Sequence, residues 1–302
     1  MADTLTRDPG DRSGELLLEV TTSRSRRIRN QLATMWMYGA FVIAVIPLGF
    51  VMYYVVAKGA SQLSLEWFTT DIPAVARRAG PGMGPAIVGT ILITLGAAVM
   101  AVPLGILGAI YLHEYGSKGR LASLIRFMAD VMTGVPSIVM GLFIYTVFTL
   151  RFGLIGLGGS LALACLMLPI VIRSTEEMLR LVPDELRLGS YALGNRKWRT
   201  IITVVLPAAL PGIVSGVMLA VARAAGETAP LLFTIGAARN LNLNLIDGPM
   251  TALSVQIFSN ASTSFPTAQD RAWGAALTLV AIVFLCTVAA RIVSSRFSLQ
   301  HT

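Results

Sequence analysis

Six charged residues fall in or beside long apolar runs, and they form three opposite-sign pairs at helical spacing: Arg126 with Asp130, Arg173 with Glu176, and Arg223 with Glu227. Residues three or four apart share a helical face, so each pair can neutralise itself. A charge at the centre of a spanning helix costs about 2.5 to 3.5 kcal/mol, and such residues mark ion paths, proton relays or counter-ion sites. Arg173, Glu176, Arg223 and Glu227 are therefore candidates to line a translocation path. Their guanidinium groups would attract a passing anion, and their carboxylates would accept protons. Arg126 and Asp130 stand at the start of another run, where a simple interfacial pair accounts for them.

A second stretch, 181–207, reads LVPDELRLGSYALGNRKWRTIITVVLP and is too charged to lie in lipid. Pro183 sets a helix start, Asp184 and Glu185 suit a first turn, and Gly194 followed by Asn195 is a break. This predicts a short amphipathic helix ending near Leu193, with Leu186, Tyr191 and Leu193 offering an apolar surface. Arg196, Lys197 and Arg199 follow it, just before the next apolar run.

The elements that must position these groups are membrane spans. The chain is 55% hydrophobic and 13% charged, against about a quarter charged in a soluble globule. Uncharged runs at 30–57, 79–113, 131–150, 152–172, 200–222 and 272–290 are each near or above the ~20 residues that cross the hydrocarbon as helix. The run 248–269 is too rich in Ser, Thr, Asn and Gln to face lipid, which leaves six spans. With the amino terminus inside, 17 basic residues fall on the cytoplasmic side and 6 outside. Both termini and the loop 181–207 are then cytoplasmic by the positive-inside rule.

The organisation expected is a disordered basic tail at 1–30, an anchor helix at 31–57, a five-helix core at 85–293 and a short cytoplasmic end at 294–302. Small residues at 208, 212, 216, 220 and 224 form a stripe that lets backbones approach closely in lipid. Pro103, Pro136, Pro169 and Pro211 each interrupt a span. No Gly-Lys-Ser/Thr phosphate loop is present, so ATP must bind elsewhere. Cys165, Cys286, His113 and His301 make no metal-ligand cluster, and no aromatic-interleaved basic patch points to nucleic acid.

In the loop, Gly194 stands thirteen residues before Pro207, with Val204 and Leu206 at hydrophobic positions between them. This resembles the signature loop of ATP-binding-cassette importer permeases: Glu-Ala-Ala, three residues, Gly, nine residues, Ile, one residue, Leu-Pro. Leu188 and Gly189 replace the Glu-Ala start. The resemblance implies a coupling helix docking into a separate ATPase subunit, through Arg187, Leu188, Gly189, Tyr191, Gly194, Trp198 and Pro207. Residues 222–232, ARAAGETAPLL, together with VPSIVMGLF at 135–143 and YLHEY at 111–115, are similar to the PstA-type permeases of the phosphate-specific importer.

The resemblance implies an all-α integral membrane protein with six transmembrane helices and the type I importer permease fold. It further implies inorganic phosphate as substrate, no catalysis and no cofactor on this chain, and ATP used by the partner. The partners would be a homologous PstC-type permease, two ATPase subunits and an extracytoplasmic phosphate-binding protein, assembled in the cytoplasmic membrane of a bacterium. A permease for molybdate or sulfate is the alternative. A proton-coupled carrier would use Glu176, Glu227 or Asp130 but needs no coupling loop, and a membrane scaffold leaves the charges inside spans unexplained.

Overall fold

The computed structural model describes residues 24–297 apart from Ala76, Arg78, Ala79, Ser117 and Lys118, and its described residues are helical or irregular throughout. The expected disorder of the tail falls mostly on residues 1–23, outside the described ones. Helix α1, Arg24–Gly59, begins within the stretch expected to be tail, because its arginines are good helix formers. By contacts the chain forms two units, 1–53 and 54–302. In the first, residues 32–53 are exposed along almost their whole length, Trp36, Tyr38, Phe41 and Phe50 among them.

The second unit holds the remaining helices. After α2, Leu65–Thr69, the first long one is α3, Gly84–Ile110, started by Pro85 in its first turn and ended by a π-turn at Tyr111–Tyr115. The run expected at 131–150 takes in only the last turn of α4, Arg120–Gly134, together with α5, Ser137–Ile144, and the chain bends by 106° between these two helices. Proline explains the break: Pro136 has no N–H to give a helix and forces Val135 out of the helical region, to φ −73° and ψ 127°.

A short α6, Leu150–Phe152, ends at Gly153, and α7 then runs from Gly156 to Arg180, well past the expected end of that span at 172. The loop supplies α8, Asp184–Ala192, and α9, Lys197–Thr200, before α10, Leu206–Gly226. Beyond it lie α11, Ala229–Thr234, α12, Leu253–Ala261, and α13, Pro266–Phe297. Among the described residues five helices are long and apolar enough to cross a membrane, and six if the bent α4 and α5 count as one span.

The main core joins α3, α7, α10 and α11 through Ile93, Ala97, Leu163, Met167, Val171, Ala220 and Leu231. The small-residue stripe serves the contact of α10 with α7: a Cβ added at Gly216 would come within 2.5 Å of the Ser174 Oγ. A second core seats the fully buried Trp67 against Met83, Leu253 and Ala275, with its indole N–H donating to the Thr278 Oγ1 at 3.0 Å. The polar run expected to avoid lipid forms α12, where the buried Gln256 donates to Thr251, just before the helix, and accepts from Asn260.

Candidate functional site

The loop 181–207 is two short helices joined by a sharp turn. Helix α8 closes as a Schellman motif: the Gly194 N–H donates to the Tyr191 carbonyl at 2.9 Å and the Asn195 N–H to the Ser190 carbonyl at 3.2 Å. Gly194 sits at φ +79°, left-handed backbone that costs an L-residue roughly 1–2 kcal/mol. A Cβ there meets nothing within 4 Å, so within this chain the turn alone asks for glycine. The Ser190 and Thr200 hydroxyls, both buried, bond at 2.9 Å and hold α8 to α9.

Around this turn an apolar surface is left uncovered. Leu188 is 64% exposed, Leu193 84% and Trp198 56%, and Leu186 and Tyr191 join them. Gly189 and Pro207 are exposed as well. Arg187, expected on this surface, points inward instead and is 9% exposed. Its guanidinium donates to the carbonyls of Leu179 at 2.9 Å and Val182 at 2.6 Å, to the Glu114 Oε1 at 3.1 Å and to the Asp184 Oδ1 at 3.1 Å. The cause lies at the end of α7, whose last carbonyls have no partner within the helix and draw a cation.

The two inner pairs are also arranged differently from expectation. Arg173 and Glu176 do not pair with each other, nor do Arg126 and Asp130; the ion pairs cross between α4 and α7. The Arg126 Nε donates to the Glu176 Oε1 at 2.9 Å, and its Nη2 to the Leu112 carbonyl at 2.8 Å. Arg173 pairs with Asp130. The first pair is inside, with the Glu176 side chain 4% exposed; the second is open, at 38% for Arg173 and 57% for Asp130. The partner exchange is a property of antiparallel packing: the order Arg, Asp along α4 faces the order Arg, Glu of α7 read backwards, which sets each cation against a carboxylate.

Arg223 and Glu227 stay together, Nε to Oε1 at 3.8 Å, although α10 ends at Gly226 and Glu227 is already extended. They open on a cavity of about 190 Å³ lined also by Thr133, Pro136, Ser137 and Pro169. The cavity is thus formed where the proline break between α4 and α5 faces the proline of α7. Arg173 lies one helical turn from Pro169, and Asp130 nearly one from Thr133, so the open ion pair sits next to the cavity along both helices.

The family model for the "binding-protein-dependent transport system inner membrane component" matches residues 101–298. The chain belongs to that family. It is 44% identical over 280 residues to the phosphate transport system permease protein PstA of Mycobacterium leprae, covering 91% of this chain and 92% of that one. It is 41% identical over 272 residues to PstA of Yersinia pestis, covering 90% and 92%. Among solved structures, an inward-facing form of the MetNI methionine ABC transporter matches with a TM-score of 0.58 at 17% identity, covering 70% of this chain and 94% of that one. That similarity supports the fold, that of an ABC importer permease. Members of this family are transport subunits, so the chain is a multi-pass membrane permease and not an enzyme.

Of the residues named from sequence, the structure brings Arg223 and Glu227 into one cavity and joins Arg173 and Glu176 to α4 rather than to each other. Leu188, Gly189, Tyr191, Gly194, Trp198 and Pro207 lie on the exposed loop. Sequence reasoning missed Arg126 and Asp130 as cross-helix partners, and it noted 111–115 only as a motif although Glu114 holds Arg187. The signal for the former was present in the complementary charge order of 126–130 and 173–176.

Proposed function

We propose that this chain is the PstA-type permease of a phosphate importer, lining half of an anion path across the membrane. The observation that carries this is the Arg223 guanidinium, 69% exposed on a spanning helix and opening on the cavity beside the α4/α5 break. Such a charge cannot rest against lipid, so that side of the helix meets water or another polypeptide. A second permease of the PstC type across it would complete the path. The phosphate assignment follows the names of the curated relatives, and the residue types agree: Arg223 and Arg173 attract an oxyanion, while Glu227 and Asp130 temper the hold so that the ion can leave.

The exposed apolar face of Leu186, Leu188, Tyr191, Leu193 and Trp198 is the dock for an ATPase subunit that binds and hydrolyses ATP. Gly194 shapes that dock, Gly189 and Pro207 border it, and Arg187 fastens it from behind. An extracytoplasmic phosphate-binding protein delivers the substrate, and both termini are cytoplasmic. The test is radiolabelled phosphate uptake in cells lacking this chain, complemented with wild type, Arg223→Gln, Glu227→Gln or the double variant, alongside the amount of assembled complex. Each single change lowers uptake, and the double variant assembles better than the singles imply but still does not transport. Restored uptake in the double variant would make the pair a structural anchor only. Uptake of sulfate or molybdate in place of phosphate would move the substrate to another oxyanion.

A further inference from the structure

We infer that Glu114 is the positioning residue through which the coupling loop drives the membrane spans, by way of its ion pair with Arg187; this rests on the importer reading above. Glu114 lies in the π-turn that ends α3, and its side chain is 6% exposed. Its carboxylate accepts from both the Nε and Nη2 of Arg187, at 3.3 and 3.1 Å. The His113 Nε2 stands 3.3 Å from the same guanidinium. From the far side of the Gly194 turn, Lys197 donates to the Glu114 backbone carbonyl and sits over the Tyr115 ring at 4.8 Å. The π-turn that ends α3 is thus held by a cation from α8 and a cation from α9.

The alternatives for transmitting a push on the loop are weaker. Sequence continuity ties α8 to α7 through 181–183, and the Arg187 bonds to the Leu179 and Val182 carbonyls reinforce only that same local joint. Glu114 is separated from Arg187 by 73 residues, and it carries the loop's motion to a different span. That span is α3, which packs along α7 in the main core and so adjoins the helix whose Pro169 lines the cavity. A rigid loop gripping both α3 and the end of α7 moves them together.

The deciding variant is Glu114→Gln, which removes the charge at the end of α3 that holds Arg187 while leaving the Leu179 and Val182 bonds of Arg187 in place. Asp184→Asn is its control: Asp184 meets the same guanidinium, but its side chain is 87% exposed. The assembled complex in lipid nanodiscs or liposomes, with its ATPase subunits and binding protein, is assayed for ATP hydrolysed per phosphate imported. Hydrogen exchange of α8 amides is followed in the same samples. For Glu114→Gln at wild-type assembly, ATP per phosphate rises about tenfold and α8 exchange quickens about tenfold, the scale of a lost contact between coupled residues. Asp184→Asn changes both by less than about twofold.

Unchanged exchange and an unchanged ratio in Glu114→Gln would overturn the inference. So would hydrolysis and uptake falling in parallel with the amount of complex, since that is the mark of a merely structural contact. If wild type imports no phosphate, the importer reading fails, while the exchange comparison still decides whether Glu114 grips the loop.

Discussion

Two ion pairs join the same two helices and differ in depth, so neutralising the carboxylates one at a time should give unequal effects. Glu176→Gln keeps shape and removes charge at a side chain 4% exposed. Breaking a buried pair from one side costs about 3–5 kcal/mol, because the other charge is stranded. Here the stranded group is Arg126, whose side chain is 29% exposed and which keeps the Leu112 carbonyl at 2.8 Å; a glutamine still accepts from its Nε. These retained bonds bring the expected loss to about 2 kcal/mol. Asp130→Asn acts on a carboxylate 57% exposed, opposite an Arg173 that water reaches, and should cost no more than about 1 kcal/mol. The assay is denaturant-induced unfolding of the purified protein in detergent micelles, read by helical circular dichroism. A loss in Asp130→Asn equal to or larger than that in Glu176→Gln would refute the argument that depth, and not helix position, sets the strength of these pairs.

Two glycines in the loop should respond oppositely to alanine. Gly194→Ala forces a side chain into left-handed backbone and should cost about 1–2 kcal/mol, whereas Gly189→Ala lies within α8 with open space around its Cβ and should stabilise by about 0.5–1 kcal/mol; hydrogen exchange of α8 amides reads both. Gly216→Leu drives a side chain into Ser174 and should sharply reduce the folded protein recovered from membranes, while Ala208→Leu, on an exposed part of the same helix, should not. Leu188→Glu puts a charge into the apolar face proposed as the dock, at a side chain 64% exposed, and should leave folding intact while weakening ATPase binding by copurification; unchanged binding would remove Leu188 from the dock.

What the sequence made legible follows from how locally each property is decided. The spans are written in composition, since lipid demands apolar residues over a fixed length, and the broken span was marked by Pro136. Its 106° bend was not, because proline dictates that a helix stops and the packing of α5 beside α11, where Gly141 lies against Pro230, dictates where the chain goes next. The turn at Gly194 was legible for the same local reason: a helix end needs a left-handed residue wherever the chain leads afterwards. The ion pairs were misassigned because i, i+3 and i, i+4 spacing reports only what one helix offers itself. Between antiparallel neighbours an arginine chooses from two helices, and the carboxylate opposite won both times.

Arg187 shows the same limit at a single residue. On a short amphipathic helix an arginine reads as solvent-facing, and nothing nearby in sequence contradicts that. Its burial is decided by carbonyls at and just beyond the end of α7 and by a carboxylate 73 residues away, brought within reach only when α3 and α7 are packed. A surface lysine could hold a headgroup in its place, but it could not serve two carbonyls and two carboxylates at once; the planar five-donor fork of arginine can. Arg187 is therefore held inside the chain, and the side chains that α8 leaves uncovered are apolar ones, Leu186, Leu188 and Tyr191.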